Sequence, residues 1–287
     1  MLREETVFGP IFSRRLGSSL GINLLPEKGK ICNFDCIYCE CGWNRDGRND
    51  TVLPTAEKVR TDLERKLKEI ENSKLHLEEE LNTLKNKDNP VKKIENSADA
   101  GNNSLLTKVD SITFSGDGEP TLNPEFPQII DDTLRLRDKY YPSAKVSVLS
   151  NATRVHIPEV FEALCKVDNP IMKIDAPTNE LIALINQPAP GYDIARVIEA
   201  LKQFKGNFVL QTCMLRGNGF DSSRREVVEP MMDIVRLLKP REWMVYTIDR
   251  ATPMQGLEKF LPDEMKALVQ PVIDEGFKVQ IKGAIED

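Results

Sequence analysis

Short apolar runs alternate with stretches of helical period along most of the chain, and that rhythm leaves few folds open. The strand-like runs are Ser19–Leu25, Ser111–Ser115, Lys145–Ser150, Ile171–Asp175, Phe208–Leu215 and Trp243–Asp249, with a short closing piece at Phe277–Ile281. Helical spacing begins at Thr55 and recurs over Pro127–Lys139, Pro158–Lys166, Tyr192–Phe204, Arg225–Leu238 and Asp263–Glu275. Pro127 and Pro158 suit first helical turns, where a missing N–H costs nothing. Strand–helix alternation builds βαβ units on a parallel sheet. Six such units fall short of a closed eight-fold barrel, so the expected fold is α/β: a partial (βα)6 TIM-like barrel, with a doubly wound sheet as the alternative. The 287 residues are expected to form one such domain with a full core.

One segment breaks the rhythm. Residues 44–113 contain no Phe, Trp or Tyr. From Leu63, apolar residues recur at Leu67, Ile70, Leu77, Leu81 and Leu84, a seam along one long helix capped by Thr55 after Pro54. Asp88–Lys108 is rich in Asn, Lys and Ser and reads as a flexible loop. About 69–108 is therefore taken as an insertion after the first helix, since such connections usually run about 2–6 residues. The stripe is expected to pack on the barrel; a dimerising or partner-binding seam is the alternative.

Side chains alternate along a strand, so each strand offers two faces. Met172 and Ile174 share one face, and Lys173 and Asp175 the other. Leu210 likewise opposes Gln211 and Cys213. Outer helices should cover the apolar face, which sends Lys173, Asp175 and Gln211 into the barrel. A charged interior is costly unless its groups neutralise one another or bind something. Polar residues on most strands, gathered at their C-terminal ends, suit a ligand chamber.

Cysteines carry the most specific chemistry. Four of the six fall between Cys32 and Cys41, and Cys32, Cys36 and Cys39 stand in a C-x3-C-x2-C spacing. The count and clustering do not suit a disulfide framework. Structural zinc normally takes four ligands, and the two histidines, His76 and His156, lie elsewhere in the sequence. Cys41 is a possible fourth ligand, although Cys39-Glu40-Cys41 would point its side chains apart in an extended loop. A [4Fe-4S] cubane normally takes four thiolates, so three would leave one iron open to another ligand.

These residues resemble the radical S-adenosylmethionine (radical SAM) superfamily, in which such a loop follows the first barrel strand with an aromatic residue before the third cysteine. Tyr38 holds that place. The family's Gly-Gly-Glu-like turn appears as Ser115-Gly116-Asp117-Gly118-Glu119-Pro120. Phe8-Gly9-Pro10, Ser13-Arg14-Arg15-Leu16-Gly17, Ser19-Leu20-Gly21-Ile22-Asn23 and Tyr38-Cys39-Glu40-Cys41-Gly42 resemble, more narrowly, a group of uncharacterised radical SAM proteins related to the tRNA-modifying wybutosine-synthesis enzymes.

The resemblance implies a [4Fe-4S] cluster on Cys32, Cys36 and Cys39, with SAM on the open iron. A reductant such as flavodoxin or ferredoxin would drive cleavage of SAM to a 5'-deoxyadenosyl radical, which abstracts hydrogen from a substrate the sequence does not name. Glu119 would accept from the SAM amino group, and Gly118 would let the backbone approach closely. Asn151 is the candidate for the SAM carboxylate and Asp175 for the ribose hydroxyls, each with a structural hydrogen bond as its alternative. Tyr38 would shield the cluster near adenine. Arg14 and Arg15 would bind an acidic substrate group or close the barrel bottom. Cys213 and Cys165 read as core residues, with hydrogen donation to a substrate radical as the alternative for Cys213.

Two other functions compete: a tRNA-modifying enzyme of wybutosine type, and a non-catalytic metal or electron-transfer protein. Thirty-nine basic against 45 acidic residues give a net charge of -6, which argues against electrostatic nucleic-acid binding but leaves a local basic patch open. No apolar run approaches the ~20 residues of a membrane span. The N-terminus, MLREETVFGP, is charged where a signal peptide is apolar, so the reducing cytoplasm is the expected location.

Overall fold

The computed structural model describes residues 5–13, 16–46, 50–85 and 108–283. Arg14, Arg15 and residues 86–107 of the insertion lie outside the described residues, as do the side chains of Leu81 and Leu84.

The main sheet is open and runs in the order β1 (Val7–Ser13), β2 (Gly17–Ile22), β3 (Ser111–Phe114), β4 (Lys145–Ser150), β5 (Asn169–Lys173), β6 (Val209–Gly217), β8 (Glu242–Thr247) and β10 (Val279–Lys282). All neighbours from β2 to β10 pair in parallel, as strand–helix alternation requires. Two short strands, β7 (Phe220–Asp221) and β9 (Glu258–Lys259), pair antiparallel with the end of β6. The unexpected element is β1, an antiparallel edge strand joined to β2 as a hairpin. It carries two exposed apolar residues, Ile11 and Phe12.

Helices cover the outer face: α1 (Ala56–Lys85), α2 (Phe126–Tyr140), α3 (Pro158–Lys166), α4 (Asn179–Ile185), α5 (Ile194–Leu201), α6 (Arg225–Leu238) and α7 (Pro262–Asp274). The Thr55 hydroxyl accepts from the Lys58 N–H at 3.2 Å, the N-cap expected for α1. Val59, Leu63, Leu67 and Ile70 bury one stripe of α1, which lies beside α2. From Glu71 to Glu79 the helix is exposed apart from half-buried Leu77, so among the described side chains the apolar seam is packed from Val59 to Ile70. Cys165 departs from expectation. It is exposed, because Val160, Ala163 and Leu164 form the buried face of α3 and residue 165 turns outward.

Two apolar regions mark the faces of the sheet. Met172, Ile174, Leu210 and Trp243 join the large core shared with Leu164, Phe204 and Val235 of the helices. Ile171, Val209 and Met244 form a small separate cluster inside the curve, against Leu16 and Leu149. Lys173 and Gln211 pair in register one step above Ile171 and Val209, on that inner face. A chain of hydroxyls crosses the same interior: Ser19 to Thr113 at 2.7 Å, Thr113 to Ser111 at 3.0 Å and Ser111 to Ser147 at 3.2 Å. Each hydroxyl has a partner, so the polar lining costs little although it is buried.

Candidate functional site

The loop after β2 carries the cysteines, and backbone hydrogen bonds tie its start to the turn after β3. Ile31 N–H donates to the Asp117 carbonyl at 3.1 Å, and Glu119 N–H donates to the Ile31 carbonyl at 3.1 Å. Gly118 sits in that bridge at φ +139°, where an added Cβ would land on the Ile31 carbonyl oxygen. The close approach that requires glycine is thus to the chain beside Cys32. Buried Asn23 braces the turn from β2: its Oδ1 accepts from Asp117 N at 3.1 Å and from Leu25 N at 3.2 Å.

Glu119 is buried at 2% exposure. Its Oε1 accepts from Thr121 N at 3.1 Å, Thr121 Oγ1 at 2.6 Å and Ser150 Oγ at 2.8 Å, and its Oε2 from Asn151 N at 2.7 Å. Burial pushes this carboxyl above the usual range against the pull of those donors. Glu119 therefore fixes the end of β4, and one lone pair of Oε2 remains for a further donor. Asn151 stands beside the first cysteine, with Nδ2 2.6 Å from Asn33 Oδ1 and 3.9 Å from Cys32 Sγ. Its own Oδ1 is taken by Thr153.

The second cysteine faces the barrel interior. Lys173 Nζ donates to Cys36 Sγ at 3.0 Å, and Asn186 Nδ2 donates to it at 3.4 Å. Lys173 also reaches Tyr38 Oη at 3.1 Å and Asp175 Oδ2 at 3.4 Å. Asp175, the candidate for ribose hydroxyls with a structural hydrogen bond as its alternative, makes internal hydrogen bonds. Its Oδ2 accepts from Tyr38 and, at 2.7 Å, from Asn186, while Oδ1 accepts from Cys213 N at 2.9 Å. The side chain is fully enclosed, so it anchors Tyr38 and β6 internally. Burial acts against charge on Lys173, but Cys36 and Asp175 outweigh it and raise its pKa well above the ordinary value.

The third cysteine overturns an expectation. The Cys39–Gly42 segment is a turn, closed by Gly42 N–H to the Cys39 carbonyl at 3.0 Å, so Cys39 and Cys41 do not point apart. The Cys41 thiol hydrogen-bonds Cys39 and holds it down to about 5, while Cys41 is itself pushed up. Burial pushes Cys32 up to about 12. Lys30, its side chain 1% exposed, anchors the loop from below through the Gly42 carbonyl at 2.5 Å and Asp35 at 3.4 Å. Burial acts against charge on Lys30, but the charges of Cys39, Cys32, Asp35 and Cys36 outweigh it and raise its pKa.

All six cysteines are free. Among the described residues no three His, Cys, Asp or Glu side chains converge as on a single ion. A cubane takes one thiolate per iron, so its ligands stand apart around it, and the three-thiol loop suits that group. Metal binding would need Cys32 as its thiolate, against the burial that raises its pKa.

Tyr38, Cys39 and Cys41 open onto a chamber of about 380 Å³, closed by Gly116, Cys213 and Tyr246. Cys213 hydrogen-bonds Tyr246 at this wall, so it is buried yet part of the lining rather than only core. Phe12 of β1 and Lys282 of β10, from the two edges of the open sheet, share the same chamber. Sequence reasoning missed Asn186 and Lys30. Asn186 ends a seven-residue helix with no motif around it, whereas Lys30 lies two residues before Cys32 and was open to notice.

The chain is similar to several known proteins. A GTPase Obg of Brachyspira hyodysenteriae is 26% identical over 269 residues, covering 92% of this chain and 33% of its own length. A UPF0026 protein of Helicobacter pylori is 26% identical over 263 residues, covering 90% of this chain and 71% of its own. SuiB of Streptococcus suis, bound to S-adenosylmethionine, superimposes with a TM-score of 0.56 at 16% identity, over 92% of this chain and 50% of that one. TYW1 with a lysine-pyruvate adduct bound gives 0.60 at 13% identity, over 91% of this chain and 75% of that one. Both structures speak for the fold. The chain thus spans 33% of the first relative and 50% of the SuiB chain. Among the described residues no helix is long and apolar enough to cross a membrane. The model of the Radical SAM superfamily matches residues 27–229, from just before the cysteine loop into α6. With both motif turns inside that match, the chain belongs to the radical SAM superfamily, whose enzymes use a [4Fe-4S] cluster and S-adenosylmethionine.

Proposed function

We propose that the chain binds a [4Fe-4S] cluster on Cys32, Cys36 and Cys39 and uses it to cleave SAM reductively, with a substrate held in the chamber. The observation that carries this reading is the bridge between Ile31 and Gly118, which sets the cysteine loop beside the Glu119–Asn151 turn. When bound, the cluster supplies one electron to SAM, whose cleavage yields methionine and a 5'-deoxyadenosyl radical that takes hydrogen from the substrate. The residues of the chain place these groups and keep water out. Asn151 Nδ2 lies at the Cys32 end of the loop, where it can donate to a carboxylate. Glu119 holds Asn151 through its backbone N–H and offers its remaining lone pair to an ammonium. Tyr38, clamped by Asp175, forms the wall between the loop and the chamber.

Anaerobic reconstitution with iron and sulfide tests the reading. The expected result is about four irons per chain, brown iron–sulfur absorption, and methionine with 5'-deoxyadenosine released from SAM under a reductant such as reduced flavodoxin. Zinc bound in place of iron, with no SAM cleavage, would favour the non-catalytic reading. Glu119→Ala is expected to keep its iron but weaken SAM binding by about tenfold, equivalent to about 1.4 kcal/mol. It should also lower stability by ~1–3 kcal/mol, because Thr121, Ser150 and Asn151 lose a buried acceptor. Calorimetric SAM titration and denaturant melts separate the two effects, and an unchanged SAM affinity would remove Glu119 from the binding site.

The domain reading is a single partial barrel with a peripheral insertion at about 69–108. Its support is that, among the described side chains of α1, Ile70 is the last that is buried. Replacing residues 74–107 by a flexible Gly/Ser linker should leave the melting transition and SAM cleavage close to those of the full chain. Loss of cleavage with the melt preserved would instead place the segment in the site or in an obligatory interface.

A further inference from the structure

The three cysteine sulfurs sit in unequal surroundings. Cys32 Sγ faces neutral amides, Phe34 N at 3.4 Å and Asn151 Nδ2 at 3.9 Å. Cys39 shares a tight turn with Cys41, and the Lys30 ammonium that acts on it is engaged by the Gly42 carbonyl at 2.5 Å and Asp35 at 3.4 Å. Cys36 Sγ receives an ammonium, Lys173 Nζ at 3.0 Å, and the Asn186 amide at 3.4 Å. Lys173 is held in this pose from several sides: Tyr38 Oη at 3.1 Å, Asp175 at 3.4 Å, and the rings of Phe34 and Tyr38, with centroids 5.1 and 5.3 Å away. A lysine that served only to neutralise Asp175 would need no sulfur at contact distance, and Asp175 already accepts from Tyr38, Asn186 and Cys213 N.

Reduction adds one electron to a cluster and makes its thiolate shell more negative. Hydrogen bonds to the sulfurs and nearby positive charge favour that state, and both set iron–sulfur potentials. We propose that Lys173 is a positioning residue for Cys36 that raises the reduction potential of the bound cluster, so that a one-electron donor reduces it more readily. No bond is made or broken at Lys173: the electron comes from the donor, and the ammonium keeps its protons. This inference rests on the cluster reading above and assigns to the inward face of β5 a task distinct from SAM binding.

The test uses the full chain reconstituted with iron and sulfide, without SAM or substrate. Iron content and the midpoint potential, from a titration followed by electron paramagnetic resonance, are compared for wild type, K173M, K173R and the charge-balanced K173M/D175N. The expected result is a midpoint shifted to more negative potential in K173M and shifted less in K173R. The double variant should also lie below wild type, since Lys173 touches the sulfur whereas Asp175 reaches it through Lys173 and Asn186. If neither methionine variant loads iron while K173R does, the cation is needed to place the Cys36 sulfur, which is the positioning half of the proposal. Iron-loaded K173M and K173M/D175N with the wild-type midpoint would overturn it. Wild-type protein that takes up no iron would overturn the cluster reading itself, and this inference with it.

Discussion

Alanine at Cys32, Cys36 or Cys39 is expected to remove iron–sulfur absorption and reductive SAM cleavage together, to below detection, whereas alanine at Cys41 leaves both. Each of the three would hold a different iron, and a cubane already one thiolate short of its usual set has no spare ligand. Cys41 sits close enough to compete for the role, since its thiol hydrogen-bonds Cys39 and its Sγ lies 3.5 Å from the Gly116 carbonyl. That position suits a group that steadies Cys39 from outside the ligand set. Cys41→Ala should therefore cost at most about tenfold in iron affinity, the lower end of the range for residues that orient a metal ligand. Iron analysis after anaerobic desalting, read beside the yield of 5'-deoxyadenosine, checks all four variants. Complete loss in Cys41→Ala would make Cys41 a ligand and leave no open iron for SAM.

The parts of this site that the sequence displayed are those with fixed spacing. The C-x3-C-x2-C loop and the Gly118-Glu119-Pro120 turn are local, and strand parity alone sent Lys173 and Gln211 to the inner face, where their register places them. Parity says which face a residue occupies but not what it meets there. Asp175 stood between a ligand contact and a structural hydrogen bond, and the partners that converge on it, Tyr38, Asn186 and Cys213, come from 137, 11 and 38 residues away. The Cys39–Cys41 contact was hidden for a different reason: expecting an extended loop ignored Gly42, whose φ of +81° lets the chain turn back. The β1 strand escaped because Gly9 and Pro10 interrupt it, and an edge strand tolerates both. Cys165 was misplaced because α3 is nine residues long, too short for a one-residue error in phase to stand out.

Gly118→Ala is expected to lower stability by about 2–4 kcal/mol and to reduce iron loading, a large effect for the addition of one methyl group. Two costs coincide there. The residue sits at φ +139°, a conformation that L side chains rarely adopt, and its added Cβ would meet the Ile31 carbonyl, a backbone atom with no rotamer to yield. Relief requires opening the bridge whose two hydrogen bonds, each 3.1 Å, tie Asp117 and Glu119 to Ile31. Cys32 follows Ile31 directly, so the same movement draws the first cysteine away from Asn151 and from the turn that Glu119 holds. Gly42→Ala provides the contrast. It also has a positive φ, +81°, but an added Cβ there meets nothing within 4 Å, so it should show the conformational cost alone, about 1–2 kcal/mol. Denaturant melts of the iron-free chains measure the stability terms, and iron content after reconstitution measures the placement of Cys32. If Gly118→Ala melts and loads iron as Gly42→Ala does, the bridge between the two motif turns is not what aligns the cysteine loop with the turn that Glu119 holds.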